Sequence, residues 1–139
     1  MASPDQIPDA RYGRFLLSLF LLALAIRLAL VLPSPAASRQ STISSNFATD
    51  TRAYAEIGLT LAHDHRFGYG ERPTAFRPPL YPWLLGGLFS IFGENYRVVR
   101  VVQAVIGALG CVALAGVGAR LVGRRTGLAA GALLAVYPF

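Results

Sequence analysis

The chain has 139 residues, of which 54% are hydrophobic and only 14% are charged. The apolar residues form long blocks, whereas a soluble fold interleaves them with polar positions, so the sequence indicates a membrane protein. The net charge is +6 and all thirteen basic residues are Arg. This basic excess suits contact with anionic lipid head groups. A nucleic-acid partner is not expected, because the Arg residues are scattered rather than packed into one stripe.

The N-terminal part predicts one membrane-spanning helix. Residues 1–14 are mostly polar and predict a cytoplasmic tail. Residues 15–32 form an apolar run that is just long enough to cross a bilayer. We expect Arg27 to lie in the outer part of this helix and to extend outward to the interface. A cleaved signal peptide is the alternative, although Arg27 interrupts the apolar core that such a peptide needs.

Residues 33–97 predict an extracytoplasmic loop that carries two helices beside the membrane. The first helix is predicted at residues 51–66, where apolar side chains recur on one face. The second is predicted at residues 80–92, which are apolar but too few to span a bilayer and are therefore expected to lie in its interface.

The C-terminal part predicts a second spanning helix at residues 98–122, rich in the small residues that let helices pack closely in lipid. A basic turn at 123–125 is expected to be cytoplasmic, as is the N-terminus. Residues 126–139 predict the start of a third spanning helix that is too short to cross, so we expect the chain to be the N-terminal fragment of a longer protein. The predicted fold class is an all-α membrane protein with two full spans, the start of a third and two interfacial helices.

Two polar residues of the outer loop are candidates for chemistry. Asp50 precedes the predicted 51–66 helix, where it is either a helix N-cap or a carboxylate that faces water above the membrane. Arg77 precedes the second helix, where it is either an ordinary solvated side chain or a ligand for a lipid phosphate. Residues 63–65 read His-Asp-His, but alternate residues of a helix point apart. No metal site and no cofactor are therefore predicted.

Two short motifs carry a resemblance to a known family. Residues 50–55 read Asp-Thr-Arg-Ala-Tyr-Ala, and residues 73–82 read Pro-Thr-Ala-Phe-Arg-Pro-Pro-Leu-Tyr-Pro. With the Phe-Gly pair at 92–93, they resemble the N-terminal region of GT-C glycosyltransferases. Within that class the chain looks like the group that includes bacterial relatives of the dolichyl-phosphate-mannose–protein mannosyltransferases and the aminoarabinose transferase of lipid A.

The resemblance implies a role for each candidate residue. Asp50 matches the expected catalytic base, Arg77 the residue that holds the donor's lipid phosphate, and Tyr54 a residue that lines the donor site; Arg52 is a weaker candidate for that site. The implied donor is a polyprenyl-phosphate-linked sugar, and the acceptor is a glycan, a lipid or a protein outside a bacterial inner membrane. Such enzymes place a further acidic residue and most of the acceptor cavity later in the chain, so this chain alone is expected to be inactive.

Two other functions fit the apolar helices. In a non-catalytic assembly or scaffold protein of the membrane, Asp50 and Arg77 would be structural. In a fragment of a transporter, Arg27 and Gln103 would line a path through the bilayer.

Overall fold

A computed structural model describes residues 9–32 and 46–137. The described residues form five helices and one two-stranded antiparallel sheet: α1 (Asp9–Val31), α2 (Asn46–Asp64), β1 (Gly68–Tyr69), β2 (Arg72–Pro73), α3 (Leu80–Phe92), α4 (Tyr96–Leu121) and α5 (Arg124–Val136). In this part of the chain two helices, at Ala10–Val31 and Tyr96–Leu121, are long and apolar enough to cross a membrane. The predicted all-α membrane fold is confirmed, and the small hairpin is an addition to it.

The described residues fall into two compact units. The first unit contains α1, α5 and the part of α4 from Arg100 onward. The second unit contains α2, the hairpin, α3 and the first residues of α4. The candidate residues of the sequence motifs all belong to the second unit.

Small residues allow the helices of the first unit to pack closely. A Cβ atom added at Gly127 of α5 would lie 2.5 Å from the backbone nitrogen of Ala119 in α4. One added at Gly131 would lie 2.7 Å from the carbonyl oxygen of Cys111, which is itself fully buried. Because apolar lipid supplies no hydrophobic force between helices, this close approach of backbones is what holds them together.

Arg27 is buried inside the first unit, with only 6% of its surface exposed. Its guanidinium donates hydrogen bonds of 3.4 Å to the carbonyl oxygens of Ala23, Leu134 and Ala135. Two of these acceptors belong to the last turn of α5, whose carbonyls have no partner within the helix and favour a cation. The expectation that Arg27 extends outward was wrong, because these carbonyls compensate its charge inside the helix packing.

The second unit is built on the contact of α2 with α3. Gly58 and Gly86 sit at this contact: an added Cβ would lie 2.7 Å from Leu85 Cβ at the first position and 2.8 Å from Leu61 Cδ2 at the second. Ile57 of α2 is fully buried beside them. The absence of side chains at the two glycines thus brings the two helices close enough to share one apolar core.

The observed boundaries differ from the predicted ones at α1, at α2, in the segment after α2 and at α5. Helix α1 begins at Asp9, six residues before the predicted start and within the predicted tail. Helix α2 begins at Asn46, five residues before the predicted start. Residues 67–79, expected to be a loop, contain the hairpin, in which Tyr69 pairs with Arg72 across a turn that Gly70 enters with a φ of 55°. Helix α5 already ends at Val136, because Tyr137 is extended, as the residue before a proline usually is.

Candidate functional site

Asp50 lies within α2 rather than in front of it. The helix starts four residues earlier, so Asp50 occupies its second turn and is not the N-cap that the sequence suggested as one alternative. The side chain is 62% exposed. A carboxylate on the open surface of a packed helix has a fixed backbone position and remains accessible to a second molecule.

Arg77 meets Asp50 across the second unit. It lies in the segment between the hairpin and α3, and its Nη2 atom donates a hydrogen bond of 2.6 Å to Asp50 Oδ1. The two residues are 27 positions apart in the sequence, and the packing of α2 against α3 brings them together in space. The structure therefore joins the two motifs of the sequence in one ion pair.

Aromatic rings surround the guanidinium. The Arg77 Cζ atom lies 5.3 Å from the ring centroid of Tyr54 and 5.3 Å from that of Phe76, both within the range of cation–π attraction. Tyr54 in turn contacts Tyr81 edge to face, with ring centroids 5.4 Å apart. These contacts restrict the guanidinium to a small region beside α2.

Hydrogen bonding to Tyr69, followed by that to Asp50, raises the pKa of the Arg77 guanidinium above its usual value. The group therefore stays charged at any physiological pH. The Nε atom of Arg77 is buried, and within residues 9–32 and 46–137 it has no hydrogen-bond partner. A guanidinium carries five N–H groups in a planar fork, which is more than the single hydrogen bond to Asp50 Oδ1 uses.

Tyr69 is a site residue that the sequence did not reveal. It lies in β1, a strand of two residues that is too short to show an alternating pattern. Gly68 before it is buried, and a Cβ atom there would overlap the carbonyl oxygen of Arg72 in the facing strand. The Gly-Tyr-Gly sequence at 68–70 is the only local signal, because glycines at these positions indicate a tight hairpin.

Arg52, the fourth predicted site residue, is separate from the others. Its side chain is exposed on α2 and has no polar contact with the described part of the chain. The structure therefore brings together Asp50, Arg77 and Tyr54 of the predicted set, and not Arg52.

The described residues contain no cluster of three or more His, Cys, Asp or Glu side chains that could hold a metal ion. His63 and Asp64 end α2, and His65 follows it with a φ of 55°. The site therefore consists of a fixed cation next to an exposed carboxylate, a combination that suits binding of an anion and removal of a nearby proton.

Comparison with known proteins gives one match to a protein family. Residues 76–139, just under half of the chain, match the family model described as dolichyl-phosphate-mannose-protein mannosyltransferase. The predicted resemblance to GT-C glycosyltransferases is confirmed. No curated protein and no solved structure matches the chain.

The region that matches the family model contains only part of the site. Arg77 and Tyr81 lie within the match, as do α3, α4 and α5. Asp50 and Tyr54 lie outside it and reach Arg77 only through the fold. The family match and the ion pair are therefore two independent observations, and both include Arg77.

Proposed function

We propose that the chain is the N-terminal part of an inverting GT-C glycosyltransferase that moves a sugar from a polyprenyl-phosphate donor to an extracytoplasmic acceptor. The observation that carries the proposal is the 2.6 Å contact of Arg77 with Asp50, beside the family match that begins at residue 76. The contact places an anion-binding group and a possible base within one small region.

Arg77 is proposed to bind the phosphate of the donor. A guanidinium binds phosphate through two parallel hydrogen bonds, and the side chain of Arg77 is 19% exposed. Negative charge grows on the phosphate as the sugar leaves, so a fixed cation stabilises the transition state more than the bound donor. The contacts with Tyr54, Tyr69 and Phe76 support this role, because they hold the cation in place before the donor arrives.

Asp50 is proposed to act as the general base. It takes the proton of the acceptor hydroxyl while that oxygen forms a bond to the anomeric carbon of the sugar. The bond from this carbon to the phosphate oxygen breaks, and its electron pair leaves with the lipid phosphate. A single displacement of this kind inverts the anomeric centre. The 62% exposure of Asp50 supports the role, since an acceptor must reach the carboxylate from outside.

A lipid-linked donor is supported by the surface around Arg77. Phe76 and Leu80 are 80% and 84% exposed, and Trp83 and Ile91 of α3 are also largely exposed. Large exposed apolar side chains suit contact with lipid, and Trp is typical of the membrane interface. We propose that α3 lies in the outer interface of a bacterial inner membrane, with the N-terminus of the chain in the cytoplasm and the site open to the outside.

Sugar transfer in the whole protein tests the two roles. With polyprenyl-phosphate-mannose as donor and native membranes as the source of acceptor, Asp50→Asn should lower the rate by a factor of roughly 10²–10⁴, which is what general-base catalysis typically contributes. Arg77→Gln should weaken donor binding as well as transfer. Arg66→Gln removes an exposed Arg of the same unit and should leave the rate near that of the natural protein.

Near-normal transfer by Asp50→Asn would exclude this carboxylate as the base. We also propose that the 139-residue chain alone has no transferase activity, since the family resemblance places most of the acceptor cavity later in the chain. Turnover of the same donor by the purified 139-residue chain would contradict this part of the proposal.

A further inference from the structure

The two partners of the ion pair differ in how tightly the protein holds them. The side chain of Arg77 is 19% exposed and that of Asp50 is 62% exposed. Arg77 contacts the rings of Tyr54 and Phe76 and is hydrogen bonded to Tyr69. If the pair opens, Asp50 is therefore the side chain that moves away.

The contact with Arg77 is what holds the Asp50 side chain among the described residues. Its Oδ1 atom accepts the hydrogen bond of Arg77 Nη2, and within the described part of the chain its side chain has no other polar contact. An exposed ion pair of this kind is a weak constraint, because water solvates both charges well. A phosphate group that reaches the same guanidinium can therefore replace the carboxylate, because a guanidinium binds phosphate through two parallel hydrogen bonds.

We propose that Asp50 and the donor phosphate compete for Arg77, so that the ion pair is the donor-free state of the site. This inference rests on the proposed function and adds an order of events to it. A carboxylate oxygen that accepts a hydrogen bond from Arg77 is occupied, and the approach of phosphate to Nη2 releases it. The base thus becomes available when the donor is in place, and before that it stays bound to the cation.

The competition predicts the sign of a binding change. If Asp50 competes with phosphate, its removal strengthens phosphate binding. If Asp50 instead positions Arg77 for the phosphate, its removal weakens binding. The two possibilities are opposite in sign, so the affinity of the Asp50→Asn variant decides between them.

The experiment uses the 139-residue chain in nanodiscs of zwitterionic lipid and polyprenyl phosphate without a sugar as the probe. We expect Asp50→Asn to bind the probe about two- to fivefold more tightly, the range that corresponds to an exposed ion pair. The control is Glu56→Gln, which removes the same charge from an exposed position of α2 that has no ion pair among the described residues. Because salt screens distant charges, this control should change the affinity by less than about twofold.

Each outcome is decisive for one of the two proposals. Equal or weaker binding by Asp50→Asn, with Arg77→Gln still causing a large loss, would overturn the competition and leave the phosphate site intact. An unchanged affinity in Arg77→Gln would overturn the proposed phosphate site itself. Circular dichroism of each variant separates these results from a loss of the helical fold.

Discussion

The contact between α4 and α5 is so close that one methyl group at Gly127 should disrupt it. In Gly127→Ala the new Cβ would lie 2.5 Å from the Ala119 nitrogen and 3.0 Å from the Gly118 carbonyl carbon, and it would also overlap the Ala115 carbonyl oxygen. All three atoms are backbone, so no side-chain rotation can relieve the overlap and the helices must separate. Overpacking of this kind costs roughly 1–3 kcal/mol.

The intrinsic helix preference of alanine over glycine acts in the opposite direction by about 1 kcal/mol. Gly116→Ala in α4 isolates that opposing effect, because a Cβ at Gly116 meets no atom within 4 Å. We expect Gly127→Ala to lower the free energy of unfolding by up to about 2 kcal/mol, and Gly116→Ala to leave it unchanged or raise it slightly, so that the two variants differ by roughly 1–3 kcal/mol.

Equilibrium unfolding of the purified chain in mixed detergent micelles, followed by circular dichroism, measures both variants under one condition. Equal stability of Gly127→Ala and Gly116→Ala would refute the close backbone contact. A loss in both variants would show that the flexibility of glycine, rather than the contact, is what the helices require.

Three further results are expected. Gly107→Ala should destabilise the chain by about 1 kcal/mol, because its Cβ would lie 2.6 Å from Arg27 Nε. Gly110→Ala is the control and should not destabilise the chain, since a Cβ there meets nothing within 4 Å. Unfolding in detergent measures the stability of both variants. Tyr69→Phe should weaken binding of polyprenyl phosphate about three- to tenfold through loss of one hydrogen bond to Arg77, and an unchanged dissociation constant would argue against that contact. The affinity for polyprenyl phosphate should fall below about pH 6, where the phosphate dianion takes up one proton and becomes a monoanion. From pH 7 to 9 the affinity should stay constant, because the raised pKa of Arg77 keeps its charge, and a titration that declines across this interval would contradict that reasoning.

The local sequence predicted the boundaries of α3 correctly but missed the start of α2. Helix α3 occupies Leu80–Phe92, the bounds expected from its apolar run, because Pro79 precedes it and Gly93 ends it with a φ of 68°. The start of α2 at Asn46 was missed, since Asn, Thr and Asp are weak helix formers that more often mark a cap or a turn. A sequence pattern therefore does not show where a helix starts when its first turn contains such residues.

The candidate site was only partly visible in the sequence. The two motifs named Asp50, Tyr54 and Arg77, but residue types alone do not show that Arg77 bonds to Asp50 rather than to water. Tyr69 had no signal of its own, because its position beside Arg77 depends on a hairpin with two residues in each strand.

The sequence by itself determined that this is a helical membrane protein, because the length of an apolar run must match the thickness of a bilayer and this requirement is local. Only the tertiary structure decided where the charged residues lie. Arg27 is buried because the end of α5 offers it carbonyl oxygens, and Arg77 meets Asp50 because glycines let α2 and α3 approach closely. In both cases the contacting residues are far apart in the sequence, so the contact depends on tertiary packing, which a local sequence pattern does not show.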